Sequence, residues 1–263
     1  MEFAIGETMN RLKNSGMAGA SKAVDDDISK GLKGAIRRTE WDTETVADAY
    51  RRFKRALGDE VVIFSGSSIH LISQKRKVND VDVVVRESKL FITEDLKKRL
   101  ENEGFEIAYF KDNKIYSVID KRSGIKIEAA NSSLTVGGNV ITDHRQLCRL
   151  LGCPESTDTL MGFPSDLIIS NAISILVKTD DGEVMLIKVP DPIHQLGIKY
   201  NLLRLRGGVK DIEDMHEIVK YYYGNFDIFA EGGGIERLRE IRQYLGVGFE
   251  DRIVSLLKEG DYE

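Results

Sequence analysis

The run Asp80-Val81-Asp82-Val83-Val84-Val85 limits the possible folds more than any other segment of this chain. Its first residues alternate with a period of two, which belongs to a β-strand, where successive side chains point to opposite sides. Asp80 and Asp82 therefore project together, while Val81, Val83 and Val85 face the opposite way into a core. Such a strand needs a sheet that is buried on one face and open on the other. At a separation of about 7 Å and an effective dielectric near 20, the two charges repel by roughly 2 kcal/mol. A third carboxylate adds to that cost, and a divalent cation removes it.

The segments around this strand read as a small α/β unit. Val46, Tyr50, Phe53 and Leu57 follow a helical stripe from Thr43 to Leu57 that Gly58 ends. An apolar strand follows at 61–65, and Gly66-Ser67 opens a short apolar helix. Beyond the basic stretch Gln74 to Lys77, which is either a solvated loop or a contact for nucleotide or nucleic acid, comes the Asp80 strand. A helix is predicted from about Thr93 to Glu103, then extended runs at 105–110, 115–120 and 124–130, the last two joined by Lys121-Arg122-Ser123-Gly124 as a hairpin. From about Val140 the pattern is mostly helical. It is interrupted by a strand at 183–189 that is a candidate to return to the sheet. Helices are predicted at 192–206 and 211–223, split by Gly207-Gly208, with two more around Ile235 to Leu245 and Asp251 to Leu257. This divides the chain into an arm at 1–40 that is too poor in large apolar side chains to build a core, a core unit at 41–135, and a mainly helical lobe at 136–263.

Composition matters mainly for what it excludes. No apolar run approaches the roughly 18 residues of a membrane span, and the first residues lack the apolar core of a secretory signal. A cytoplasmic protein with no membrane partner is the expectation. Cys148 and Cys153 have neither the second pair nor the histidines of a zinc site, so they read as structural. His70, His144, His194 and His216 show no metal spacing and read as packing or surface residues. With 38 basic and 43 acidic side chains the net charge is −5, which gives no whole-protein field that would attract nucleic acid.

The run GIKIEAA repeats the alternation of the Asp80 strand. Ile125 and Ile127 fall on one side, with Lys126 and Glu128 on the other, so Glu128 can face the same cleft from a neighbouring strand. Asp120, which also ends an extended run and lies beside the hairpin turn where it is expected to face solvent, is the rival third carboxylate. Three such carboxylates suit two hard cations about 3.5–4 Å apart, the arrangement an in-line displacement at phosphorus requires. Upstream, Gly66 permits close backbone approach to a ligand. Ser67 then starts a helix whose N–H groups and hydroxyl can hold a polyphosphate. The whole run IFSGSSIHLISQKRKVNDVDVVV resembles the signature of the nucleotidyltransferase superfamily that includes DNA polymerase β: an apolar strand, Gly-Ser, a gap, then paired aspartates among apolar residues. The resemblance implies that Asp80 and Asp82 hold two Mg2+ ions, with Mn2+ as a substitute, and that Glu128 supports the metal that activates an acceptor hydroxyl.

A second segment, PIHQLGIKYNLLRLRGGVKDIEDMHEIV, resembles the helical part of the AbiEii-like toxin nucleotidyltransferases. Lys199, Arg206, Lys210-Asp211 and Asp214 fit that spacing. Seven residues make nearly two helical turns, so Lys199 and Arg206 share a face with Leu196 and Leu203. The resemblance implies that Lys199 and Arg206 contact nucleotide phosphates and that Asp211 or Asp214 completes the acceptor side or a supporting ion pair. From the residues alone, the two basic groups can equally lie over a core edge, and Asp211 can simply cap a helix. The combined expectation is an α/β (α+β) chain with a small mixed sheet, flanking helices and a helical C-terminal lobe. It would transfer NMP from an NTP to a hydroxyl of RNA, protein or a small molecule and release pyrophosphate. The competing expectation is a non-catalytic module of the same fold that binds nucleotide or a partner.

Overall fold

A computed structural model of the chain describes residues 41–58, 60–73, 78–111, 113–129, 134–136, 139–141, 159–160, 163–178, 182–245, 248–260 and 262. The arm at 1–40, the stretch Gln74 to Lys77, His144, Cys148 and Cys153 lie outside the described residues. Helix α1 (Thr43–Leu57) starts where the Asp42 carboxylate accepts from the Thr45 N–H, and ends at Gly58, whose φ of 111° suits a residue without Cβ. Its stripe of Val46, Tyr50, Phe53 and Leu57 is buried. The chain continues through β1 (Val62–Ile63), α2 (Ser65–Ser73), β2 (Asp80–Val84), α3 (Glu94–Asn102), β3 (Phe105–Lys111), β4 (Lys114–Asp120) and β5 (Lys126–Ala129).

These strands form one five-stranded mixed sheet in the order β1-β2-β5-β4-β3, in which β2 and β5 run parallel and the other neighbours antiparallel. The register assigns the two faces. Val81 pairs with Ile127 and Ile127 with Val118, all three at most 1% exposed. Phe105 meets Phe53 of α1 edge to face, so this apolar side is the one covered by α1 and α3. The opposite side carries Asp80, Asp82, Lys126, Glu128 and Ser117.

The remaining strands and α-helices of the described residues are β6 (Leu134–Val136), β7 (Asn139–Ile141), β8 (Thr159–Leu160), β9 (Phe163–Pro164), α4 (Ser165–Ser170), β10 (Ile173–Lys178), β11 (Val184–Val189), α5 (Pro192–Arg206), α6 (Val209–Tyr223), α7 (Phe226–Glu231), α8 (Gly234–Glu240) and α9 (Phe249–Lys258). The strand at 183–189, a candidate to return to the sheet, does not join it. β11 pairs with β10 along its whole length as a separate two-stranded unit, while Tyr50 of α1 connects it to β1 by donating to Val61 O and accepting from the Lys188 N–H. β10 itself was hidden in sequence because Leu176, on its outward face and 68% exposed, breaks the apolar-in, polar-out alternation. Helix α5 starts at an Asp191 cap followed by Pro192 and ends at Gly207 in the left-handed conformation. Every residue from Pro192 to Leu203 is buried, which makes α5 the centre of the helical region. Among the described residues no helix is long and apolar enough to cross a membrane.

Asp120 is the clearest correction to the sequence reading. Its carboxylate is fully buried and accepts both Arg52 guanidinium N–H groups at 2.7 Å, so α1 is tied to the end of β4. It faces the helix-covered side, away from Asp82 and Glu128, and is no candidate for their cleft. Burial pushes this carboxyl upward, but hydrogen bonds from Arg52, Ser123 and the Arg122 N–H outweigh that and hold it at about 2. Because the folded value lies below the ordinary 3.8, the ionised pair stabilises the fold above about pH 4. That contribution is lost as the pH falls from 3.8 towards about 2. Asp120→Asn is therefore expected to lower the unfolding free energy by about 2 kcal/mol at neutral pH, since it removes one charge-assisted partner of the buried Arg52 and leaves it with Asp48. Urea unfolding of the two proteins at pH 7 checks this. An unchanged midpoint would show that the pair contributes nothing net.

Candidate active site

The candidate site is built on β2, its parallel neighbour β5 and the start of α2. Asp82 is directly opposite Glu128 in the β2–β5 register, and Asp80 is opposite Lys126. Parallel neighbours are about 4.8 Å apart, so Asp82 and Glu128 are closer to each other than Asp80 is to Asp82 along its strand. At about 5 Å and an effective dielectric near 20, two carboxylates repel by roughly 3 kcal/mol. Lys126 answers part of that charge by an ion pair to Glu128 Oε1. The pair is open to water, with Lys126 45% and Glu128 37% exposed, so its net strength is about 1 kcal/mol at most.

Helix α2 is fastened to this face by backbone and hydroxyl bonds. The Phe64 N–H donates to Asp82 O, and the Ser67 hydroxyl donates to Asp80 O while accepting from the Asp82 N–H at 3.0 Å. Ser67 is 1% exposed. Its hydroxyl thus braces the helix against the strand that carries the aspartates, where the sequence had suggested a direct phosphate contact. Gly66 is buried in the first turn of α2. Ser65, which begins the helix, has a φ of 56°, a left-handed conformation that costs an L-residue about 1 kcal/mol or more and makes the strand-to-helix turn sharp. The first N–H groups of such a helix have no acceptor within it, so its start favours an anion.

The basic residues of α5 are placed differently from the expectation. Lys199 is 1% exposed, and its ammonium lies 2.6 Å from Asp214 and 3.8 Å from Asp211, both on α6 and both buried. The apolar stripe that carries Lys199 belongs to a helix buried on all sides, so the lysine is turned into a polar cluster instead of towards a surface nucleotide. Of the two readings offered for the acidic partners, the supporting ion pair is the one this geometry matches. The Arg206 side chain lies outside the described residues. Lys199 also lines a tight crevice with Ser65, Ser68 and Gln195 where α2 meets α5 and α6, which connects the cluster to the start of α2.

Sequence reasoning passed over three groups. Lys126 was visible as the alternate of Glu128 but was given no role. Ser65 and Gln195 carry no motif that marks them. Gln195 is buried with its Oε1 unbonded, while its amide donates to Pro190 O and the Tyr222 hydroxyl. His70, His194 and His216 each engage a neighbour: Thr43, Asp191 and Leu256 O respectively. Burial raises the Asp191 carboxyl, but its hydrogen bond and charge interaction with His194 bring it below the usual carboxylate range.

Among the described residues no three His, Cys, Asp or Glu side chains already converge on a point that a metal could occupy. The donor set nevertheless suits hard cations: three carboxylates share one face, two of them side by side. No family model matches the chain, and no curated protein matches it. Among solved structures it is similar to an antigenic nucleotidyltransferase-like protein from Paracoccidioides brasiliensis, at 16% identity and a TM-score of 0.42, over 79% of this chain and 94% of that one.

The Lys199 cluster yields a stability test. Lys199→Met removes the ammonium that faces two buried carboxylates and is expected to lower the unfolding free energy by about 3 kcal/mol. Adding Asp214→Leu should recover part of that loss, because the second change removes a charge the first had isolated from its cation. Denaturant unfolding of both variants checks it. A single-variant loss below about 0.5 kcal/mol would mean that the cluster is solvated and unimportant to the fold.

Proposed function

We propose that the chain is a metal-dependent nucleotidyltransferase that moves NMP from an NTP to an acceptor hydroxyl. The observation that supports it most is the side-by-side placement of Asp82 and Glu128 on parallel strands, with Asp80 on the same face and α2 braced to the same strand by Ser67. Divalent cations bound to these carboxylates would neutralise the triphosphate and the departing pyrophosphate. The residues of the chain do the positioning. Asp80 and Asp82 hold the triphosphate end of the site, the start of α2 with Gly66 receives phosphate oxygens, and Glu128 faces the acceptor. The acceptor oxygen forms its bond to the α-phosphorus as the bond to the bridging oxygen breaks, and its proton is released to solvent. Lys199 with Asp211 and Asp214 fixes α5 to α6 behind the start of α2. RNA or protein is the acceptor class we favour, following the likeness of the 192–219 segment to the AbiEii-like toxins.

A second reading, a non-catalytic module that binds nucleotide or a partner, draws on one feature. Lys126 and Lys199, two cations that a nucleotide site could use, are both paired within the chain. Turnover separates the readings. With each α-labelled NTP, Mg2+ or Mn2+, and total RNA or protein as acceptor, labelled product is expected from the native chain. Asp82→Asn should cut its formation by about a hundredfold or more while leaving the fold intact, since the change relieves like-charge repulsion. Glu128→Gln should slow single-turnover chemistry far more than it weakens NTP binding. Near-normal transfer by the Asp82 variant would remove the metal assignment, and NTP binding without any turnover would favour the second reading.

A further inference from the structure

We propose that Lys126 is a positioning residue which holds the Glu128 carboxylate aside in the metal-free protein and thereby sets how tightly the site takes a divalent cation. The inference rests on reading the Asp80, Asp82 and Glu128 face as the metal site. Two observations carry it. The parallel register puts Lys126 opposite Asp80 and Glu128 opposite Asp82, so the lysine stands within the acidic face itself. Its ammonium is paired with Glu128, the one carboxylate of the three that β5 contributes.

The chemistry of the pair suits release. Both groups are more than a third exposed, so water screens their attraction and competes for each partner. A lysine ammonium is a point charge on a flexible stem and makes no two-pronged clamp on a carboxylate, unlike an arginine. A divalent cation between Asp82 and Glu128 outcompetes it, because the cation brings twice the charge and satisfies several carboxylate oxygens at once. The lysine acts on metal affinity through two effects of the same sign. It occupies a ligand, and its positive charge lowers the negative potential that attracts the cation. In the metal-free protein it also reduces the repulsion between Glu128 and Asp82, so a single residue protects the empty site and tempers the filled one.

Mn2+ binding to the full chain without nucleotide, followed by the electron paramagnetic resonance of free Mn2+, tests this without reference to turnover. Lys126→Gln is expected to tighten Mn2+ binding about three- to tenfold, and Lys126→Arg to leave it at or below the native affinity. In a Glu128→Gln background the gain from Lys126→Gln should shrink, because only the general charge effect remains. Metal-free Lys126→Gln should melt below the native protein, and saturating Mn2+ should close that gap. Unchanged or weaker Mn2+ binding in Lys126→Gln overturns the inference, as does an equal gain with and without the Glu128 charge. Asp82→Asn is the separate control on the underlying reading. If that variant binds Mn2+ as the native chain does, the site assignment itself fails. If it loses binding while Lys126→Gln changes nothing, only the role of Lys126 fails.

Discussion

The parallel pairing of β2 with β5 is the constraint on which the rest of the proposed site depends. Each strand alone offers carboxylates on one side and apolar residues on the other, and neither alternation says how far apart the two sets will be. The register makes Asp82 the direct neighbour of Glu128 and buries Val81 against Ile127 on the opposite face. A shift of one residue would point Glu128 into the core, where an unpaired charge costs several kcal/mol. The hydrophobic side of the sheet therefore fixes the acidic side. Because the strands run parallel, the chain between them must cross over, and it does so through α3 and the β3–β4 hairpin.

Charge balance around that pairing is handled locally. Asp120, also at a strand end, falls on the covered face by the strand alternation and there accepts two hydrogen bonds from Arg52. Lys126 offsets Glu128 on the open face, and Lys199 offsets Asp214 and Asp211 in the helical region. The three arrangements differ in how much water reaches them. Arg52–Asp120 and Lys199–Asp214 are sealed, so their worth lies in avoiding an isolated buried charge, while Lys126–Glu128 is open and easily exchanged. That contrast is why the first two are read as parts of the scaffold and the third as part of the site.

Much of the sheet was legible in the residues. Period-two alternation marked β2 and β5, and the face of Glu128 followed from it. The Gly207-Gly208 break marked the end of the helix at 192–206, and the structure ends α5 at Arg206 with Gly207 left-handed. What escaped depended on contacts between distant segments. Nothing local distinguishes an Asp120 beside a turn from one that meets Arg52, 68 residues away. Lys199 sits in an apolar stripe whether that stripe edges a surface or, as here, belongs to a helix enclosed on all sides. β10 was concealed by the exposed Leu176, and the partner of β11 stayed open because alternation identifies a strand without naming its neighbour. The role of Ser67 shifted for a related reason: a hydroxyl at a helix start suits an anion and a strand backbone equally, and only the packing of α2 on β2 chooses between them.

The proposed function requires the open face of β2 and β5 to hold metal at Asp80, Asp82 and Glu128. Crystals grown with Mn2+ and a non-hydrolysable NTP, measured for anomalous scattering at the manganese edge, address it most directly. A peak is expected between Asp82 and Glu128, with the Glu128 carboxylate turned away from Lys126 and the triphosphate lying towards the start of α2. Manganese peaks confined to other carboxylates, with the Lys126–Glu128 pair still closed over an occupied nucleotide, would contradict it.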